Sequence, residues 1–260
     1  MITLHRKPHY AFAGAIALTA SMFFAGAAQA EEVVPAYNSY QAVPFVVENG
    51  GLAADLVSYL NGKLKGKYQF QQTNTSRERL NQLIEKDSGF KGVVLFLNPI
   101  FVNDAEKKKY LWTAGVISDS NAVISSSTRK VEYQSPESLA GLKFAGIHGN
   151  RYAGLEEHFG KSIERENVNE ELSNIKKVAS GRADVTIMAS STYRYLMKQL
   201  GSQGAASSTL HVSSKPHAKF DRFLFVSKDN GPLAKELDGV IAGMKSDPAW
   251  KAILTRYGLE

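Results

Sequence analysis

The chain has 260 residues, of which 43% are hydrophobic and 22% are charged, with 21 glycines and no cysteine. This composition excludes a disulfide scaffold and a collagen-like repeat, and it disfavours disorder and thiolate metal sites. The formal net charge of +6 is too small, and the basic residues are too scattered, to indicate a nucleic-acid-binding protein.

The first thirty residues have the layout of a secretory signal peptide. Arg6 and Lys7 precede an apolar run at 11–27, which is followed by the small-residue pattern Ala28-Gln29-Ala30. This order predicts export and cleavage after Ala30. A retained transmembrane anchor is the alternative, because a membrane span needs roughly 20 apolar residues and this run is close to that length.

The elements that follow alternate between strands and helices. Residues 33–36 form a short apolar strand, and a turn at 49–51 precedes a helix. Leucines recur every four residues on one face of this helix, at Leu52, Leu56, Leu60 and Leu64. Tyr68 and Phe70 alternate with polar residues, which predicts a second strand.

A helix and a buried strand complete this half of the chain. Thr75 stands three residues before Glu78, a capping-box spacing that predicts the start of a helix. The continuous apolar run at 93–97 predicts a strand buried on both faces. Residues 112–125 have no helical period, and we expect an extended connection out of a first lobe.

The second half repeats the alternation. It predicts a short capped helix at 135–141, a strand at 144–147, and a glycine turn at 149–151 leading into a helix at 152–159. Further elements are a helix at 170–179, a strand at 185–188, a helix starting at 190–191, a strand at 223–226, a helix carrying Leu233 to Met244, and a last helix after Asp247-Pro248. Repeated βα units predict an α/β fold with mainly parallel sheets, whose ligands bind beyond the carboxyl ends of the strands.

Several short motifs occur in a recognisable order. Residues 44–56 are similar to the pattern "PPF…NG…G…DL", residues 135–147 to "SLEDLKGKKVGV", residues 181–184 to "GRVD", and residues 254–257 to a closing "I..KY". In this order they resemble the family 3 extracellular solute-binding proteins, the periplasmic receptors of polar amino acid ABC importers. The resemblance covers nearly all of the chain after residue 30.

The resemblance implies a type II, two-lobed periplasmic-binding-protein fold in which the chain crosses twice between the lobes. Lobe 1 would comprise 31–118 plus 222–260, and lobe 2 would comprise 119–221. Such a protein captures a small-molecule solute by hinge closure, presents it to a membrane ABC permease and carries out no reaction. We therefore expect a monomer with no cofactor and no nucleic-acid partner.

Two positions depart from the pattern of the family. An arginine in a "TPER" segment pairs with the ligand α-carboxylate in these receptors, and counting back from Trp112-Thr113 places Glu106 at that position. Lys107 is the nearest cation, and a shift of one residue in the alignment would make it the carboxylate partner. The aspartate that binds the α-ammonium corresponds, counted from Asp184, to Ala189. These replacements predict a small polar or aromatic organic solute rather than a standard free amino acid.

Candidate ligand-binding residues are those that follow predicted strands. In lobe 1 they are Tyr37, Asn38, Tyr40, Asn98 and Trp112. Aromatic rings and amides commonly line small-molecule clefts. The alternative for the tyrosines is ordinary half-buried packing, and for Trp112 it is a place in the core beside the hinge.

In lobe 2 the candidates are Asn150, Arg151, Tyr152, Ser190 and Ser191. The first three stand where a glycine turn feeds a predicted helix, whose free N–H groups would favour an anion together with the arginine. The alternative is that Asn150 only caps the helix. The two serines have the same ambiguity.

No catalytic or metal-binding motif is present in the sequence. His148 and His158 are ten residues apart without a carboxylate at ligand spacing, so we expect no metal site. Two alternatives to solute capture for transport remain. One is a periplasmic dehydratase or lyase similar to cyclohexadienyl dehydratase, with Glu106 and Lys107 as acid and base. The other is an extracytoplasmic sensing partner that binds solute and docks to a receptor.

Overall fold

In a computed structural model of the chain, residues 1–3, 30–86, 89–160, 162–202 and 209–259 are described. The predicted signal peptide falls almost entirely on residues 4–29, outside the described part. Among the described residues, the helices are too short or too polar to cross a membrane.

The described residues alternate between strands and helices, as the sequence predicts. The strands are β1 (Glu32–Asn38), β2 (Tyr68–Asn74), β3 (Val93–Leu97), β4 (Tyr110–Trp112), β5 (Ile117–Ser126), β6 (Phe144–Ile147), β7 (Arg165–Val168), β8 (Val185–Ala189), β9 (Leu210–Val212) and β10 (Ala218–Ser227). The α-helices are α1 (Leu52–Lys63), α2 (Arg77–Lys86), α3 (Leu155–Phe159), α4 (Glu171–Ala179), α5 (Ser190–Ser202), α6 (Gly231–Met244) and α7 (Pro248–Tyr257). Short 3-10 helices occupy Pro99–Val102 and Pro136–Leu139.

Two strands, β5 and β10, connect the two halves of the sheet. The strand order is β2-β1-β3-β10-β5-β8-β6-β7, with β4 also on β10 and β9 on β5. The strands β1, β2 and β3 pair in parallel, as do β6, β7 and β8. The strand β10 pairs antiparallel with β5 through residues 218–222 and with β3 and β4 through residues 223–227. The predicted α/β fold with two lobes and two crossing strands is confirmed.

Each lobe has hydrophobic cores of its own. In lobe 1, the leucine face of α1 packs with α6 and α7 on the sheet, around the buried Trp250. All five side chains of β3 are completely buried, as expected for a strand covered on both faces. In lobe 2, one cluster lies around Phe144 and Tyr152 and another around Ile175 and Met188.

The turn before α1 requires glycine at position 51. Gly51 has a φ of 120°, and a Cβ atom there would lie 2.4 Å from the carbonyl oxygen of Phe45. This close approach lets the loop accept from the first N–H groups of the helix, with Leu52 N at 2.8 Å from Pro44 O and Ala53 N at 3.1 Å from Phe45 O. The start of α1 is therefore capped by backbone carbonyls of the preceding loop.

Some predicted boundaries differ from the structure. The cap of α2 is Ser76, whose Oγ accepts from Arg79 N at 3.2 Å, and not Thr75. The predicted helix at 135–141 is a 3-10 turn at Pro136–Leu139. The predicted strand at 223–226 is the end of the ten-residue strand β10. The strands β4, β7 and β9 are absent from the sequence prediction.

Asn230 caps α6, and we expect its loss to be measurable. Its Oδ1 accepts from Leu233 N at 3.3 Å. Replacing Asn230 with Ala is expected to lower the free energy of unfolding by about 1 kcal/mol, because an N–H group of the first turn loses its partner. Urea denaturation measures this change. Asn230→Ser keeps a capping oxygen and is expected to stay within a few tenths of a kcal/mol of the parent protein.

Candidate functional site

The carboxyl ends of four strands, two from each lobe, converge on the crossing strands. After β1, the ring of Tyr40 lies 4.3 Å from Cζ of Arg222. After β3, Asn98 Nδ2 donates to the backbone oxygen of Asp221 at 2.9 Å. After β8, Ser191 contacts Asp119 on β5, and after β6 the carbonyl of Ala153 is 2.7 Å from His217 Nε2, just before β10. The edge at which ligands are expected in an α/β fold therefore lies at this joint.

The two predicted asparagines of lobe 1 hold turns at this edge. Asn38 is completely buried, and its Nδ2 donates to Tyr40 O at 2.9 Å and to Asn74 Oδ1 at 3.0 Å. The Oδ1 of Asn98 accepts from Ile100 N at 3.0 Å and caps the 3-10 helix. Both amides are engaged within the chain, and their role in ligand binding stays a prediction.

The three aromatic candidates of lobe 1 lie in different places. Tyr40 packs on Phe45, with ring centroids 5.0 Å apart, and faces the joint. Tyr37 is half-buried, and burial raises the pKa of its hydroxyl. Trp112 donates its indole N–H to Asp104 Oδ2 at 2.7 Å and packs on Phe225 at 4.4 Å between ring centroids. Tyr40 contacts Arg222 at the joint, whereas Trp112 contacts Phe223 and Phe225, in the part of β10 that pairs within lobe 1.

The prediction of a helix beginning at Tyr152 is wrong. The helix α3 begins at Leu155, after Gly154, which has a φ of 85°. The N–H groups that precede this helix bind the chain's own carboxylates: Tyr152 N donates to Glu156 at 2.9 Å, and Gly154 N to Glu157 at 2.7 Å. The helix end expected to attract an anion is therefore already occupied.

The three candidates around this turn have partners within lobe 2. Arg151 is exposed, with its Nη2 3.4 Å from Glu157 Oε1. The carbonyl of Asn150 accepts from Arg165 at 2.8 Å. The hydroxyl of Tyr152 accepts from Ile147 N at 3.1 Å, and burial raises the pKa of this hydroxyl to about 12. Their role in ligand binding is a prediction that rests on their position alone.

The predicted serines at the start of α5 lie against β5. Ser190 Oγ is 2.6 Å from Ser120 Oγ. Ser191 donates to the Asp119 carboxylate twice, from Oγ at 2.7 Å and from its backbone N at 3.1 Å. The start of α5 is thus fixed to a crossing strand by an aspartate that the sequence analysis did not single out.

A buried ion pair connects the two crossing strands. The side chains of Asp119 and Arg222 are each 2% exposed, and Arg222 Nη2 and Nε lie 2.8 Å and 2.9 Å from Asp119 Oδ2. The guanidinium also lies over three rings, those of Tyr40, Phe45 and Phe220, at 4.3, 4.7 and 5.0 Å. We call these five residues, together with Ser191, the hinge cluster. The charges of Asp119 and Arg222 neutralise each other within the cluster. Because Ser191 also binds Asp119, the cluster holds the two strands and α5 together.

A groove of about 470 Å³ lies along the crossing strands, between the start of α5 and the C-terminal end of the chain. We call it the hinge groove. It is lined by Ile117, Ser118, Asp119, Ser120, Ser190, Ser191, Arg194, Lys219, Phe220, Asp221 and Leu259. Two of the predicted ligand-binding residues, Ser190 and Ser191, therefore line an open groove at the joint.

Counting along the sequence aligns Glu106 and Ala189 with the two amino-acid-recognising residues of the resembling family, and this alignment stays a prediction. Glu106 is exposed and forms an ion pair with Lys108. The Nζ of Lys107 lies 4.3 Å from the Phe223 ring, within lobe 1. Ala189, at the end of β8, has no polar side chain. Neither Glu106 nor Ala189 carries a cationic side chain that could pair with a carboxylate, and Lys107 is the nearest cation to Glu106 in the sequence.

Lobe 2 contains a buried carboxyl group that the sequence analysis did not single out. Glu171 begins α4. Burial raises the pKa of its carboxyl to about 7, although a hydrogen bond with Asn174 has a smaller, opposite effect on this pKa. Asn174 is completely buried and donates to Gly146 O at 3.1 Å. Among the described residues, Glu171 Oε2 and Asn174 Oδ1 are buried without a hydrogen-bond partner. Unpaired buried acceptors are uncommon in proteins.

Comparison with known proteins identifies the fold. No protein-family model and no curated protein matches the chain. The P235GK mutant of ArgBP from T. maritima is 16% identical, over 88% of this chain and 96% of that one, with a TM-score of 0.63. The substrate binding protein of an amino acid ABC transporter is 16% identical, over 86% and 98%, with a TM-score of 0.59.

The periplasmic domain of BvgS from B. pertussis is also similar. It is 19% identical, over 88% of this chain and 42% of that one, with a TM-score of 0.64. At these identities the comparisons show the fold alone, and this fold is shared by transport receptors and by part of a larger protein.

Proposed function

We propose that the chain is an exported solute-binding protein that captures a small organic solute by hinge closure and delivers it to an ABC permease. The observation that carries this proposal is the convergence of four strand ends from two lobes on a pair of crossing strands beside an open groove. Binding between lobes stabilises the closed state by the difference in affinity between the two states.

The change of partner along β10 supports the lobe boundaries of 31–118 plus 222–260 and 119–221. Residues up to Arg222 pair with β5, and residues from Phe223 onward pair with β3 and β4. We further propose that the protein acts as a monomer in the periplasm, as its resemblance to the solute-binding proteins implies. Cleavage after Ala30 is supported by the signal-peptide pattern, which leaves one residue before the first described strand.

We propose a solute other than a standard free amino acid. The exposed Glu106, paired with Lys108, stands at the position of the carboxylate-binding arginine, and Ala189 stands at the position of the ammonium-binding aspartate. The side chain of Glu106 is 72% exposed, so it lacks the water-excluded surroundings that acid-base catalysis in a closed cleft requires. This exposure favours capture over the dehydratase alternative.

A thermal-shift screen tests the proposal. The exported protein is heated with amino acids, polyamines, aliphatic and aromatic carboxylates, and neutral aromatic compounds. A bound solute is expected to raise the midpoint temperature of unfolding, because it stabilises the folded state. At a hundredfold excess over Kd this stabilisation is about 2.7 kcal/mol. Free amino acids giving the largest shifts would contradict the interpretation of Glu106 and Ala189. Turnover of the stabilising compound would support an enzyme instead.

A further inference from the structure

A solute anion at the joint needs a cation that is not already committed. Arg222 is buried and occupied by Asp119, and Arg151 lies beside Glu157 in lobe 2. Lys107 lies over a ring of lobe 1. Among the residues that line the hinge groove, two exposed cations remain, Arg194 and Lys219. Neither has an ion pair within the described part of the chain.

These two cations lie on one continuous surface. Lys219 on β10 is the direct cross-strand partner of Ser120 on β5, so their side chains share a face of the sheet. Ser120 Oγ is 2.6 Å from Ser190 Oγ. Arg194 follows Ser190 by four residues on α5, which places both on the same face of that helix. The two cations therefore flank a pair of hydroxyl groups.

The hydroxyl pair leaves a donor for a ligand. Ser120 and Ser190 share one hydrogen bond, which uses one of their two hydroxyl hydrogens. The other hydrogen can be donated to an acceptor in the groove. Two cations and a hydroxyl donor around one space form a set of partners suited to a carboxylate.

The other groove residues define the rest of the ligand. Leu259 supplies apolar surface, and the volume of about 470 Å³ accommodates a small organic molecule. The charge of Asp119 is neutralised by Arg222. The carboxylate of Asp221, which accepts from Ser118 Oγ at 2.6 Å, is the one acidic group of the lining without a cationic partner in the described structure. It disfavours ligands with more than one negative charge.

We propose that the hinge groove binds a small monocarboxylate with an apolar body, whose carboxylate pairs with Arg194 and Lys219 beside the Ser120–Ser190 hydroxyls. The proposal rests on the proposed function and names the class of its solute. The ligand contacts α5, both crossing strands and Leu259 at the end of the chain. Its binding therefore depends on the relative position of the two lobes.

Isothermal titration with sodium benzoate and sodium hexanoate, and with neutral benzyl alcohol, tests the proposal. Both carboxylates are expected to bind, and benzyl alcohol is expected to bind about tenfold more weakly or worse, since it lacks the charge-assisted hydrogen bonds. Arg194→Ala and Lys219→Ala are each expected to raise the Kd for benzoate about tenfold. Arg79→Ala and Lys228→Ala, which remove exposed cations outside the groove, are matched controls and are expected to leave it unchanged.

Two further variants refine the test. Arg194→Lys keeps the charge and is expected to restore most of the affinity lost in Arg194→Ala. Asp221→Asn removes the acidic group from the lining and is expected to strengthen benzoate binding several-fold. Weaker benzoate binding in Asp221→Asn would contradict the proposal, because removing a negative charge from the lining should favour an anionic ligand that pairs with Arg194 and Lys219.

The outcomes separate this proposal from the proposed function. Benzoate and hexanoate that fail to bind, or that bind equally to both groove variants, overturn the carboxylate site. If a compound without a carboxylate stabilises the protein and both groove variants bind it normally, solute capture stands and the groove proposal fails. If no compound of the thermal-shift screen binds, both proposals fail.

Discussion

Replacing Arg222 with Met is expected to lower the free energy of unfolding by about 3 to 5 kcal/mol. The substitution leaves the Asp119 carboxylate buried, with Ser191 and Ser120 N as its remaining hydrogen-bond partners. An uncompensated buried charge is costly because water cannot solvate it. Urea denaturation at neutral pH, followed by circular dichroism, measures the loss.

A surface ion pair provides the matched control. Lys67 and Glu236 lie 2.7 Å apart, but their side chains are 59% and 37% exposed. Lys67→Met is expected to cost less than about 1 kcal/mol, since water replaces the lost partner. The double variant Asp119→Leu with Arg222→Met is expected to be more stable than Arg222→Met alone, because it no longer buries a charge. Equal losses for Arg222→Met and Lys67→Met would contradict a buried hinge pair.

Glu171→Gln is expected to stabilise the protein at high pH but not at low pH. The pKa of the Glu171 carboxyl is raised from 4.5 to about 7 by burial. The folded state therefore binds this proton more tightly than the unfolded state does. Stability then falls as the pH rises from about 4.5 to about 7, by about 2 to 3 kcal/mol. Glutamine resembles the protonated carboxyl and removes this loss.

Unfolding free energies of the parent protein and of Glu171→Gln, measured at intervals between pH 4 and pH 8, test this expectation. The difference between the two proteins should be constant below about pH 4.5 and should grow until about pH 7. Glu170→Gln is the control, because the neighbouring Glu170 side chain is exposed to solvent. A difference for Glu171→Gln that does not change with pH would contradict the raised pKa.

Elements with a strong hydrophobic period could be predicted from the sequence. The leucine repeat of α1 and the apolar run of β3 place both elements correctly, because burial of those side chains decides the local structure. The strand β7 could not be predicted, since Arg165–Val168 carries three polar residues and only pairing with β6 makes it a strand. The start of α3 depends on Gly154 and on two glutamate side chains that accept from backbone N–H groups before the helix. Helix propensities of single residues do not predict such contacts.

The candidate site was less predictable than the fold. Position at strand ends directs attention to Tyr40 and Ser191, which both belong to the hinge cluster. Arg222, its central residue, could not be predicted, because an arginine directly before an apolar strand is usually exposed to solvent. Its partner Asp119 is 103 residues away in the sequence. Single-sequence reasoning has no means of pairing residues at that separation.

The crossing strand β10 also decides when the sheet of lobe 1 can be completed during folding. The strand β3 lies between β1 and β10, and its five side chains are fully buried in the finished protein. The residues of β10 follow those of β3 by more than a hundred residues in the chain, so they emerge later during export. Until then, an apolar strand with an open edge is available for pairing with other chains. The first lobe is therefore completed last. A chaperone that covers the open edge of β3 would act in that interval.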